Sequence, residues 1–171
     1  MSLSAAILQE IDNECATTRR VLARVPGDRL TWKPHPKSMS LGELAMHIAA
    51  GQGAIAEWAL SDTLEFPGGG PRPEAKSTSE ILAAHDQSVE KARNVVKRLG
   101  DEGLRAEWRC TKNGVTFMAM PKAALVRSIA LNHFYHHRGQ LSVYLRLLDV
   151  PVPSIYGPSA DENPMAVAAQ A

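Results

Sequence analysis

The stretch Leu131-Asn132-His133-Phe134-Tyr135-His136-His137-Arg138-Gly139-Gln140-Leu141 carries three of the six histidines of this 171-residue chain. It lies within an apolar stripe that predicts a long helix from Pro121 to about Leu148. Positions four apart share a helix face, with Cβ atoms about 5–6 Å apart, so His133 and His137 can hold one metal ion together. His136 points about 100° away from His137. The alternative is a partly exposed polar face, since imidazole is also an ordinary surface group.

A second predicted helix carries a further histidine. Ser40 and Glu43 form the capping-box pattern that satisfies free amide groups at a helix start, and the helix runs to about Leu60. His47 lies on or beside the apolar face of this helix. A lone histidine there is more often a hydrogen-bonded core residue than a metal ligand. His47 is a candidate metal ligand only because another helix, the last one, carries a histidine pair.

Two more amphipathic helices complete the helical pattern. The first covers about residues 3–24, and a capping box at Ser77-Thr78-Ser79-Glu80 starts another, which ends at Leu99 because Gly100 follows. His85 shares the inward face of this helix, where we favour a bond to a core polar partner over a role in a buried site. Four such helices predict an all-α fold, an up-down four-helix bundle.

Two irregular stretches separate these helices. Residues 66–73 are rich in glycine and proline and predict a long connection. Alternating runs on either side of Asn113-Gly114 predict a small β-hairpin with a tight turn before the last helix. In that hairpin, Cys110 faces Phe117.

Composition fits one soluble domain spanning residues 1–171, with a frayed tail from about residue 160 to 171. A net charge of +1 gives no basic nucleic-acid footprint, and no apolar run reaches the roughly 18 residues that a bilayer span needs. We therefore expect neither nucleic acid nor membrane as a partner. Cys15 and Cys110 make no disulfide framework, and the N-terminus has no secretory pattern, which together favour a cytoplasmic protein.

The three histidines suggest an open metal site. His47, His133 and His137 would supply three nitrogen ligands, and three protein ligands with one free position are typical of catalytic zinc. Imidazole also suits nickel and iron. Gln140, one turn beyond His137, and Tyr144 are candidates for orienting a ligand or the substrate.

Arg138 has two interpretations. Its guanidinium can bind the carboxylate of an anionic substrate through two parallel hydrogen bonds. It can equally pair with a carboxylate from a loop or a second subunit, and we favour this structural role.

The chain resembles the DinB/YfiT family over nearly its whole length. The residues that carry the resemblance are His47, the run His133-x-x-His136-His137-Arg138-Gly139-Gln140-Leu141, and the closing Pro153-x-x-Tyr156-Gly157-Pro158-Ser159-Ala160-Asp161-Glu162. The resemblance implies a four-helix bundle, a metal held by three histidines and frequently a homodimer. By motif position, the family's ligands fall on His47, His133 and His137, and His136 matches an extra histidine outside the ligand set.

What the resemblance implies about activity is less uniform. Some relatives resemble transferases or isomerases that use bacillithiol, mycothiol or glutathione, with a metal holding the sulfur as thiolate. The lead hypothesis is thus a metal-dependent transferase that uses a low-molecular-weight thiol and a small-molecule substrate, with one divalent ion, zinc or nickel first and iron next. Two alternatives stay open: a metal-dependent hydrolase with metal-bound water as nucleophile, and a non-enzymatic, stress-associated metal-binding or dimerisation module.

Overall fold

Helices make up most of the protein, and a small three-stranded sheet lies beside them. The computed structural model describes residues 1–68, 70 and 73–168. The helices are α1 (Leu3–Leu22), α2 (Leu41–Glu57), α3 (Thr78–Arg105), α4 (Lys122–Ala124), α5 (Asn132–Leu147) and α6 (Pro164–Ala168). A π-helical segment, Leu125–Leu131, joins α4 to α5, and these three pieces are called the last helix below. The strands are β1 (Thr63–Glu65), β2 (Glu107–Lys112) and β3 (Val115–Pro121).

Local hydrogen bonds explain where the helices begin and end. The capping box of α2 is confirmed: Glu43 N donates to Ser40 Oγ at 3.1 Å, and Ser40 N donates to Glu43 Oε2 at 2.6 Å. At α3 only half of the predicted capping box forms: Glu80 N donates to Ser77 Oγ at 3.1 Å, but the Glu80 carboxylate accepts from Lys76 N at 2.6 Å and not from Ser77 N. Gly100 interrupts α3 with a φ of 57°, as the sequence predicts, but a further turn continues to Arg105.

The hairpin is present, with one error in its predicted register. Asn113 and Gly114 both have positive φ, as a two-residue hairpin turn requires. The predicted pairing of Cys110 with Phe117 is wrong, because a register shift between Cys110 and Thr111 places Cys110 opposite Met118. Such a β-bulge adds one residue to one strand, which the turn alone does not reveal.

Strand β1 was not predicted from the sequence. Thr63 to Glu65 pairs in parallel with β2, where Thr63 lies opposite Arg109. Three residues are too few for an alternating pattern to stand out. The sheet is tied to the helices by Trp108, which is buried and donates its ring N–H to the carbonyl of Trp58 at 3.1 Å.

The predicted last helix differs from the structure at its beginning. Pro121 ends β3, so the helix begins at Lys122. The π-helical segment then occupies the two turns before α5. One extra residue per turn rotates the residues before Asn132 relative to those after it, and such segments are frequent at functional sites. The segment ends two residues before His133.

The irregular segments are partly described. The connection predicted at residues 66–73 has no helix or strand in its described part, and residues 69, 71 and 72 lie outside the described residues. The tail expected to fray from residue 160 is held at two points: Asp161 accepts from Val152 N at 2.8 Å, and Glu162 accepts from Ser154 N at 3.2 Å. Residues 169–171 lie outside the described part. No described helix is both long and apolar enough to cross a membrane.

The interior lies between α2, α3 and the last helix, with α1 packed against α3. The largest cluster of buried apolar side chains in this interior is built from α1, α2, α3 and the last helix. At the centre, α2 approaches α3 so closely that Gly53 N donates to Ser88 Oγ at 2.7 Å. A Cβ at Gly53 would lie 2.4 Å from the Ser88 carbonyl oxygen, so only glycine fits there.

Replacing Gly53 by alanine is therefore expected to lower the free energy of unfolding by about 2 kcal/mol, because the two helices must separate to admit one methyl group. Gly139→Ala is the matched control: this helical glycine has open space around its Cβ position, so alanine should stabilise the helix by up to about 1 kcal/mol. Urea unfolding of both variants measures this. Equal stability of Gly53→Ala and the parent would contradict the close approach.

Candidate metal centre

Three histidines from two helices converge on one point. His47 projects from α2, and His133 and His137 project from successive turns of α5. The Nε2 atom of His133 lies 3.0 Å from that of His47 and 3.2 Å from that of His137. All three residues are partly exposed, and they form a group that can hold a metal ion. The structure thus brings together the three ligands predicted from the sequence.

An aromatic ring packs beside the cluster. Phe134 is buried, and its ring centroid lies 5.5 Å from that of His47 and 5.1 Å from that of His133. Gly51 on α2 makes room for this ring, since a Cβ there would lie 2.4 Å from its Cζ atom. Phe134 therefore separates the histidines from the core and restricts the rotation of both rings.

Gln140 hydrogen-bonds His137 at the ring nitrogen that faces away from the other two histidines. His137 Nδ1 lies 2.7 Å from Gln140 Oε1. Because the amide oxygen accepts, the ring proton sits on Nδ1 and the lone pair of Nε2 faces the other histidines. This is how ligating histidines are usually oriented.

The spacing of the nitrogens fits a transition-metal ion. With zinc–nitrogen bonds of about 2.0–2.1 Å in a tetrahedral site, neighbouring ligand nitrogens lie about 3.4 Å apart. The observed separations of 3.0 and 3.2 Å need only slight widening. The partial exposure of all three residues leaves a side of the cluster open for a fourth ligand.

The protonation of the cluster also suits a metal. Burial, followed by the nearby charges of His137 and His136, lowers the pKa of His133. Burial likewise lowers the pKa of His137, against the opposing effect of its hydrogen bond to Gln140. Both rings are therefore neutral at neutral pH, which is the form that binds metal ions.

Gln140 gives a direct test of this orientation. Gln140→Leu is expected to weaken metal affinity by about 10–100-fold, because His137 loses the acceptor that fixes its ring. Gln87→Leu, at an exposed position on α3, is the matched control and should leave affinity unchanged. Competition titrations with a chromogenic zinc chelator measure both. Equal affinity of the two variants would contradict the role of Gln140.

The other residues singled out from the sequence lie elsewhere. His136 is exposed, with its ring centroid 5.1 Å from that of His137, and is not one of the three clustered ligands. The Tyr144 hydroxyl donates to the Met39 carbonyl at 3.3 Å, and its ring meets that of Trp32 edge-on. Tyr144 is therefore engaged with the core.

Arg138 is a buried structural residue. Its guanidinium donates to Glu14 Oε2 at 2.7 Å and to Thr18 Oγ1 at 3.0 Å. The structural role that we favoured is the one observed, but the carboxylate comes from α1 and not from a loop or second subunit.

His85 differs from the expectation. It is 2% exposed, yet neither ring nitrogen has a hydrogen-bond partner among the described residues. The prediction that His85 bonds a polar partner in the core is therefore wrong. Periodicity places a side chain on an inward face but says nothing about which groups lie opposite.

Acid should destabilise the fold through His85. Burial is the main cause that lowers the pKa of His85, with Asp86 acting against it. The unfolded chain, with a histidine pKa of about 6.5, takes up a proton where the folded chain does not. The free energy of unfolding should then fall below about pH 6.5, by at most about 1.4 kcal/mol per pH unit for this group. In urea unfolding at several pH values, His85→Leu should show the shallower dependence; equal slopes would contradict it.

Comparisons with known proteins agree with this architecture. The DinB family model matches residues 1–165. The Bacillus subtilis (strain 168) protein named uncharacterized protein YrdA is 24% identical over 159 residues, which are 91% of this chain and 89% of that protein. Two crystal structures of DinB-like proteins share the fold at 22% identity. YjoA from Bacillus subtilis has a TM-score of 0.66 over 84% of this chain and 92% of its own. The protein from Bacillus cereus ATCC 10987 has a TM-score of 0.70 over 88% and 95%.

Proposed function

The chain belongs to the DinB family, and from this premise we propose that it is a metal-dependent transferase that uses a low-molecular-weight thiol. The observation that carries the proposal is the convergence of three imidazole nitrogens on one partly exposed point. His47, His133 and His137 would hold one divalent ion, zinc or nickel first and iron next. Bound there, such an ion would stabilise a thiol as thiolate near neutral pH.

The chain's own residues prepare the site in three ways. His133 and His137 are neutral, so their lone pairs are available without loss of a proton. Gln140 fixes the ring of His137 at 2.7 Å, and Phe134 fixes the ring of His47 from the core side. Because two long helices carry the ligands, the centre is held by rigid elements, and its exposed side admits a thiol and a small electrophile.

Neither cysteine of the chain competes for the role of nucleophile. Cys15 and Cys110 are both buried free thiols, and burial raises the pKa of Cys15 to about 11. A protonated, buried thiol reacts poorly, since thiolate is the reactive form. This favours a nucleophilic sulfur supplied from solution, and two free thiols suit the cytoplasm.

A transfer assay tests the proposal. We would incubate the zinc- and nickel-loaded protein with glutathione, bacillithiol or mycothiol and 1-chloro-2,4-dinitrobenzene. The sulfur–carbon bond forms as the carbon–chlorine bond breaks, with release of chloride and of the thiol proton. Turnover with one of the thiols, abolished in His133→Ala and kept in His136→Ala, would support the proposal.

Two other outcomes would replace it. Cleavage of p-nitrophenyl acetate without any thiol, lost in His133→Ala, would favour a metal-dependent hydrolase. Metal binding without turnover in either assay would favour a non-enzymatic metal-binding module. Either result would contradict the transferase and leave the metal centre itself intact.

The same proposal includes a four-helix bundle that assembles as a homodimer. The contacts of α1, α2, α3 and the last helix support the bundle. Val143 and Leu147, one turn apart on α5, are 56% and 59% exposed and offer apolar surface to a second copy. Light scattering after size-exclusion chromatography tests this, because a dimer has twice the 18.6 kDa chain mass and a monomer would contradict it.

A further inference from the structure

An open cavity lies between α1 and α3, and none of the three clustered histidines lines it. Its volume is about 310 Å³. Three carboxylates and two guanidiniums surround it, together with His85 and Cys15. The charged residues are Asp12, Arg19, Asp86, Glu90 and Arg93.

His85 lines this cavity, and neither of its ring nitrogens is hydrogen-bonded among the described residues. Its side chain is only 2% exposed. Its Nδ1 lies 3.6 Å from Asp86 Oδ1, which is longer than a hydrogen bond. Asp86 is instead held by Arg19 through contacts of 2.8 and 3.1 Å. Buried polar groups are nearly always paired, so this ring requires an explanation.

A second unpaired donor lines the same cavity. Arg93 Nε is buried and has no hydrogen-bond partner within the described part of the chain. The Nη1 atom of the same guanidinium lies 3.4 Å from Asp12 Oδ1. One edge of Arg93 is thus engaged at the rim, while its Nε–H is enclosed without an acceptor among the described residues.

The unpaired nitrogens of His85 and Arg93 indicate which chemical groups a bound ligand would carry. Burial lowers the pKa of His85, so its neutral ring offers one donor and one acceptor. Arg93 Nε–H adds a second donor. Three carboxylates against two guanidiniums disfavour a simple anion. The complementary ligand therefore carries an acceptor oxygen together with a positively charged donor.

The Cys15 thiol at the cavity is hydrogen-bonded and unreactive. Gln52 Nε2 donates to Cys15 Sγ at 3.2 Å, and the thiol lies 3.5 Å from Gln52 Oε1. Cys15 is thereby satisfied and protonated, so the cavity is suited to binding and not to covalent chemistry. Gln52 and His47 are five residues apart on α2, which places them about 140° apart around the helix. The cavity and the metal centre thus lie on different faces of α2.

We propose that this cavity is a second, non-catalytic site that binds a small zwitterion of amino-acid type. The ligand's carboxylate accepts hydrogen bonds from His85 and from Arg93 Nε, and the side chains that cover these buried atoms move aside as it enters. Its ammonium group lies against the carboxylates of the rim, of which Glu90 is the third, beyond the two already paired with arginines. The site acts independently of the metal centre.

Nuclear magnetic resonance of the metal-free full chain tests the proposal. L-alanine is the probe, and acetate and methylammonium supply its two ends separately. Long-range proton–nitrogen spectra report the histidine ring nitrogens, and the signal missing in His85→Leu identifies His85. We expect alanine to shift this signal saturably, with an affinity about tenfold or more above that of either half, because both ends contribute.

Two variants and two controls complete the experiment. Amide signals of α1 and α3 report binding in the variants: His85→Leu and Arg93→Lys should each weaken alanine binding by about tenfold. Arg98→Lys, on the exposed side of α3, should not weaken it. Circular dichroism checks that each variant is folded. His133→Ala should bind alanine normally, so that failure at the metal centre and failure here are distinguishable.

Three results would overturn the proposal. The absence of any saturable shift with alanine would mean that the cavity holds only water. Equal affinity for acetate and alanine would mean a simple carboxylate site. Unchanged alanine binding in both His85→Leu and Arg93→Lys would place the ligand elsewhere.

Discussion

Arg138→Met is expected to lower the free energy of unfolding by about 3–5 kcal/mol, which is the cost of removing one partner from a buried ion pair. Arg138 is 1% exposed, and its guanidinium joins the last helix to α1 through the Glu14 carbonyl, the Glu14 carboxylate and the Thr18 hydroxyl. The ring of Tyr135 lies 5.2 Å from the guanidinium carbon. Methionine fills part of the space but leaves the Glu14 carboxylate without its cation.

Urea unfolding of two further variants separates the contributions. Arg138→Lys keeps the charge but not the fork of donors, so it should fall between the parent and Arg138→Met. The double variant Arg138→Met with Glu14→Leu should recover part of the loss, since no buried charge then remains unpaired. If Arg138→Met unfolded within 1 kcal/mol of the parent, in the roughly neutral range of surface changes, Arg138 would not be the link between these helices.

Zinc should stabilise the folded chain by about 2.7–4.1 kcal/mol when free zinc exceeds the dissociation constant by about 100–1,000-fold. The gain arises because the three imidazole nitrogens converge only in the folded state, where α2 lies against α5. Substitution of any one of His47, His133 and His137 by alanine should remove most of it, since two imidazoles bind far more weakly than three.

Thermal unfolding with and without zinc measures this gain. His136→Ala is the matched control, because His136 is an exposed neighbour on the same helix, and its gain should equal that of the parent. Ethylenediaminetetraacetate should reverse the effect. A gain that survived in His133→Ala, or that vanished in His136→Ala, would place the metal elsewhere.

Local patterns predicted most of the secondary structure and two of the three clustered histidines. Helix periodicity alone paired His133 with His137, because that geometry is set within one helix. The capping box at Ser40 and the turn at Asn113-Gly114 depend on neighbouring residues only, and both are present. Such features are readable from the sequence because the atoms that decide them are close along the chain.

Features that depend on distant contacts were not readable in this way. His47 gained its place as a third ligand from the pair on the other helix and from the family motif, since periodicity does not say which helices touch. The β-bulge beside Cys110 and the parallel strand at Thr63 come from packing across the sheet. Glu14, the partner of Arg138, is 124 residues away along the chain. That the His85 ring has no hydrogen bond can be seen only when the residues packed against it are known.

The most direct test of the metal centre is the metal content of the protein purified without a histidine tag or chelator. Inductively coupled plasma mass spectrometry should find about one divalent transition-metal ion per chain, since the three imidazoles form one site, and it should find none in His133→Ala or His137→Ala. It would also identify the ion. A parent protein with no bound metal, and with no uptake from zinc, nickel or iron solutions, would contradict the metal centre. The three histidines would then be polar residues of the helical core.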